Sequence, residues 1–132
     1  KLADMVLAHS PECKLILEHT WGYRKEDCKG FKTVENFNNM LREGCTTIAA
    51  LKNAEISHIG DAFIAVDTKE LGNSLHASDD HHQSYYGSYL KACVNYLMIT
   101  GEPFNENVAN CGIDPQKAEI LRKAAEKTVL GE

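Results

Sequence analysis

Residues 14–21 limit the possible folds of this chain more than any other stretch. Lys14-Leu15-Ile16-Leu17-Glu18-His19-Thr20-Trp21 is apolar at its centre, with no polar alternation, and polar at its exit. Such a run reads as a strand buried on both faces, the setting that a parallel sheet flanked by helices provides. It calls for strand neighbours on each side and helices above and below. Leu2, Met5 and Val6 have helical spacing, and Ser10-Pro11 ends that helix. Thr33 can cap a helix whose apolar stripe is Val34, Phe37, Leu41, Cys45, Ile48 and Leu51, with Asn53 at its end. Gly22 to Lys32 is a charged loop, and Ile56-Ser57-His58-Ile59 reads as a short second parallel strand. Gly60 to Val66 is ambiguous, because periodicity alone lets that strand run on through Val66. Ser84 can cap a helix with Tyr86, Leu90, Cys93, Val94 and Leu97 on one face, stopped by Gly101 and Pro103. Asp114-Pro115 starts a closing helix with Ala118, Leu121, Ala125 and Val129 on its face.

Strands alternating with helices imply an α/β fold with a parallel sheet covered on both faces. Only two strands can be counted, too few for such a sheet. The 132 residues therefore read as one partial domain, residues 1–132, the C-terminal half of a three-layer α/β/α unit. The chain begins Lys-Leu-Ala, so its start reads as a fragment boundary. A net charge of -5, interleaved along the chain without a Lys/Arg cluster, argues against nucleic acid as a partner. No apolar run is long enough to span a bilayer. The five cysteines are widely spaced, odd in number and form no Cys-x-x-Cys pair, so they favour reduced thiols over a disulfide or zinc framework. Cys45 and Cys93 fall on helix faces and read as core.

The densest chemistry lies in Ser78-Asp79-Asp80-His81-His82-Gln83-Ser84, a loop that runs straight into the helix capped by Ser84. A neutral imidazole can take a proton from an attacking hydroxyl, and a nearby carboxylate fixes its tautomer and stabilises the imidazolium. Asp-x-x-His alone is a weak signal. The longer string, Ser-Asp-x-x-His-Gln-Ser-x-x-Gly-Ser-Tyr-Leu-x-Ala-Cys, is stronger. It resembles the last block of the SGNH (GDSL-like) hydrolases, and it looks most like a bacterial subfamily described as a domain of unknown function. The resemblance implies that Asp79 orients and His82 acts as base in a Ser-His-Asp triad, and that the full domain has a flavodoxin-like sheet of about five strands. It also favours a break at Gly60 and a short helix from Asp61.

The nucleophilic serine and the oxyanion-hole glycine and asparagine of that superfamily come from earlier blocks and are not found here. Gly72-Asn73-Ser74 imitates the nucleophile block, but it follows the polar Asp67-Thr68-Lys69-Glu70, and Ser74 reads as a turn serine. The expected function is that of an esterase or acetylesterase acting on a small-molecule or carbohydrate ester, with the missing N-terminal half supplying the serine. The alternative is a non-catalytic module that binds a ligand or a partner chain. Trp21, at a strand exit, together with His81 and Tyr85 near the dyad, are the expected substrate contacts. His76, Asp79, Asp80, His81 and His82 invite a metal reading, but adjacent ligands seldom converge on one ion, so neither metal nor other cofactor is expected. Substrate and compartment are not legible in these residues.

Overall fold

The computed structural model describes residues 1–24 and 30–131. The middle of the charged loop expected over 22–32, and Cys28 with it, lies outside the described residues. In chain order the elements are α1 (Leu2–His9), β1 (Ile16–Glu18), α2 (Val34–Lys52), β2 (Glu55–Ser57), α3 (Ile59–Ala65), α4 (Thr68–Leu71), α5 (Tyr85–Thr100) and α6 (Pro115–Val129). The described residues form a mostly helical α/β unit around a small parallel sheet of two strands.

β1 pairs with β2 in the register Ile16↔Glu55, Leu17↔Ile56 and Glu18↔Ser57. Backbone bonds extend the pairing at both ends, from Glu55 N–H to Leu15 O at 2.9 Å and from His19 N–H to Ser57 O at 2.9 Å. The strand is shorter than the run 14–21, and among the described residues it has a neighbour on one side only. Ile16 and Leu17 are accordingly half-buried, not enclosed on both faces. The ambiguity at Gly60 is resolved as helix. β2 ends at Ser57, and α3 starts at Ile59, two residues before the expected Asp61. Gly60 lies in this first turn at a close approach: a Cβ on it would lie 2.2 Å from Asn38 Oδ1, 2.5 Å from Thr20 O and 2.8 Å from His19 Nε2. α4 was not expected. Asp67 caps it by accepting from Lys69 N–H and Glu70 N–H at 2.8 and 3.4 Å, and Gly72 ends it at φ 68°.

The core is built on α5, which packs chiefly against α6 and then α3. Leu90, Cys93, Val94 and Leu97 of α5 are buried with Ile59, Ala62 and Phe63 of α3 and Ala118, Leu121 and Ala125 of α6. The caps work as the sequence suggests. Ser84 Oγ accepts from Gly87 N–H at 3.2 Å, and Asp114 accepts from Gln116 N–H and Lys117 N–H at 3.0 and 3.3 Å. Burial pushes the Cys93 thiol up to about 12, so it stays a neutral core group.

α2 departs from expectation. Thr33 caps it through Asn36 N–H at 3.1 Å and Asn53 closes it at φ 49°, yet of its expected stripe only Phe37 is buried. Cys45 is half-buried, Ile48 is 54% exposed and Leu51 76%. Leu2, Met5 and Val6 of α1 are exposed as well. These apolar positions have the right period, but the described residues lay no second layer over them.

Gly87 is the tightest point of the core. A Cβ there would lie 2.2 Å from Leu75 O, 2.9 Å from Phe63 Cζ and 3.1 Å from Gln83 Cβ. The variant Gly87→Ala is expected to lose about 1–3 kcal/mol of stability by forced overpacking. Gly101→Val, where space is open but φ is +70°, tests left-handed strain alone. Urea unfolding midpoints measure both, and an unchanged midpoint for Gly87→Ala would refute the packing argument.

Candidate functional site

The segment between α4 and α5 folds back on itself before entering the helix. His76 and Gln83 form an antiparallel bridge. Ser84 N–H donates to Leu75 O at 2.8 Å, Ala77 N–H to His82 O at 2.8 Å, and Asp80 N–H to Ala77 O at 3.0 Å. Asp80 sits at φ 57°, a conformation that short polar side chains tolerate better than most. The result is a closed turn seated on the first turn of α5.

Asp79 and His82 meet at the tip of this turn. His82 Nδ1–H donates to Asp79 Oδ2 at 2.6 Å. Asp79 Oδ1 accepts from His81 N–H and His82 N–H, each at 3.0 Å. One carboxylate oxygen therefore caps the backbone while the other holds the ring. The His82 contact, followed by these two backbone donors, holds the Asp79 carboxyl well below the usual carboxylate range. The His82 side chain is 71% exposed, and its Nε2 makes no hydrogen bond among the described residues. Stacking with His81, centroids 4.6 Å apart, steadies the ring from one side.

The other expected site residues lie at different depths. His81 lies between His82 and Tyr23, whose ring centroid is 3.9 Å from its own. Trp21 does not face a cleft. It is 9% exposed, stacked on Phe63 at 4.8 Å, and its indole N–H donates to His81 O at 2.9 Å. It is a core residue that holds the loop from below. Tyr85 is exposed and its hydroxyl donates to Cys111 O, which ties the start of α5 to the turn before α6. Ser74 is committed to its own turn: Oγ donates to His76 O at 2.8 Å and accepts from His76 N–H at 3.0 Å and Arg24 at 2.6 Å.

Two features of this region are not visible in the sequence. Arg24 reaches across to the loop, its backbone N–H donating to Asp80 O at 2.9 Å and its guanidinium lying 3.6 Å from the Asp80 carboxylate. A cleft of about 390 Å³ beside it is lined by residues that include Arg24, Phe63, Leu75 and His76. The second feature lies at the exits of the two strands. His19, His58 and Asp61 bring donor atoms within 4.8 Å of one another. They are 39 and 3 positions apart in the chain, so only the β1–β2 pairing brings them together.

A solved structure of a DUF4886 family protein from Bacteroides uniformis is similar, with a TM-score of 0.81 and 22% identity over 98% of this chain. At that identity the likeness is one of fold. The chain spans about half, 54%, of that bacterial protein. No family model and no curated protein matches the chain.

His76 is a buried support of the loop, its Nε2–H donating to Gly22 O at 2.9 Å. Burial first, and Arg24 second, lower its proton affinity, while Gly22 O, Asp80 and Asp79 partly offset this. A histidine whose folded value is lowered leaves the unfolded chain binding more protons. The His76 contribution to stability is therefore full above about pH 6.5 and is lost as the pH drops from there towards the lowered value. Urea unfolding across this range should show the fall. In His76→Gln the slope should be shallower by up to about 1.4 kcal/mol per pH unit, and an unchanged slope would count against a neutral buried His76.

Proposed function

We propose that this chain is the histidine-and-aspartate half of an SGNH-type serine hydrolase, an esterase or acetylesterase with a three-layer α/β/α catalytic domain. One observation carries the reading: Asp79 orients His82 at 2.6 Å while Nε2 stands open to solvent. The extended string around His82 and the turn fixed to the first turn of α5 support it. So does the length of the bacterial structural relative, about half of which this chain spans. That leaves room for a part bearing a nucleophile.

In this reading a serine from outside these residues places its Oγ against His82 Nε2. His82 takes the proton as the serine attacks an ester carbonyl, and Asp79 stabilises the imidazolium. Backbone N–H groups from that same outside part stabilise the tetrahedral oxyanion. The alcohol leaves with the proton from His82, and water then repeats the sequence on the acyl-enzyme. The substrate class is a small ester, an acetylated carbohydrate included.

A second reading is a binding module without catalysis. It is favoured because no serine hydroxyl among the described residues is hydrogen-bonded to His82, and Ser74 is held within its own turn. Hydrolysis of p-nitrophenyl acetate by the product of the whole reading frame separates the two. The enzyme reading expects His82→Ala and Asp79→Asn each to lose roughly 10⁴-fold in kcat/KM. Equal rates for wild type and His82→Ala would refute it.

A further inference from the structure

We propose that His19, His58 and Asp61 bind a divalent transition-metal ion of the zinc class, at a site separate from the Asp79–His82 dyad. The argument begins with His19. It follows β1, its side chain is completely buried, and Nε2–H donates to Asn38 O at 3.3 Å. That bond assigns the proton to Nε2, because a carbonyl can only accept, and it turns the Nδ1 lone pair inward. Nδ1 is buried and has no hydrogen-bond partner. Facing it at 3.8 Å is Asp61 Oδ2, another acceptor. Two electron-pair donors facing one another, one of them on a fully buried ring, are reconciled by a cation between them.

The surroundings fit a metal. His58 follows β2 and reaches the same Asp61 oxygen at 3.1 Å. Asp61 Oδ1 is held by Asn38 Nδ2 at 2.8 Å and Arg42 at 3.1 Å, which leaves Oδ2 as the oxygen shared by the two histidines. Tetrahedral zinc with bonds of about 2.0–2.1 Å places its donors about 3.4 Å apart. The distances of 3.1 and 3.8 Å to Asp61 Oδ2 bracket that value. The half-exposed His58 ring can swing to close the remaining gap. The Asn38 carbonyl on His19 and the Asn38 and Arg42 donors on Asp61 are the outer partners that orient metal ligands. Three protein ligands leave a fourth position for water or a small exogenous donor.

The test is titration of chelator-treated protein with cobalt(II), read by visible absorption, and with zinc(II), read by calorimetry. Wild type is expected to bind a single ion with the intense visible bands of tetrahedral cobalt. His58→Ala, a change at a half-exposed position, should weaken binding by more than about tenfold with unchanged far-ultraviolet circular dichroism. His82→Ala should bind as wild type does, which keeps this result independent of the hydrolase reading. Zinc should raise the Tm of wild type and not of His58→Ala. Absence of stoichiometric binding, or a loss that follows His82→Ala and spares His58→Ala, would overturn the proposal.

Discussion

The fold depends on how closely the main chain of α5 passes the strand-like segment at Leu75. At Gly87 the helix backbone lies directly beneath the Leu75 carbonyl and the tip of Phe63, with no space for a methyl group. That approach allows Ser84 N–H to bond Leu75 O, which closes the loop, and sets Ser84 Oγ over the first turn as its cap. Helix, cap and loop are thus one packed object. The residues at the loop tip take their direction from it, because the turn between Leu75 and Ser84 is short and hydrogen-bonded throughout.

Away from this centre the molecule changes character. α3, α5 and α6 share a continuous core that includes Leu71 of α4 and Leu75 and Ile113 from the connecting segments. α1 and the outer half of α2 carry apolar side chains that stay exposed among the described residues, and those of β1 are only half-buried. An apolar stripe that meets no second layer contributes little, since burial and not periodicity removes surface from water. Stability is therefore uneven, concentrated on the side that carries the Asp–His turn.

Much of this was legible from local chemistry. Ser84, Asp114 and Thr33 announce their helices because a cap needs only its own side chain and the next few amides. The Asp79–His82 contact is local too: three residues of turn bring the two groups together. The failures are non-local. α2 has the helical period the sequence shows, but period alone does not say whether a partner layer exists, and so Cys45 is half-buried while Ile48 and Leu51 are exposed. A strand exit suggests a cleft for Trp21, yet the ring lies in the core. Only Phe63, 42 positions further on, explains why it turned inward. The His19–His58–Asp61 group was invisible for the same reason, since it exists only once β1 and β2 lie side by side.

The indole of Trp21 has a consequence of its own. One face rests on Phe63 and its single proton is given to the His81 carbonyl. The ring is thus a strut between the interior and the tip of the loop, and it bears on the residue next to the exposed imidazole. A change at Phe63 therefore reaches the backbone beside that imidazole through a single aromatic ring. The interior and the tip of the loop are in this way joined by two contacts, neither of which involves a surface side chain.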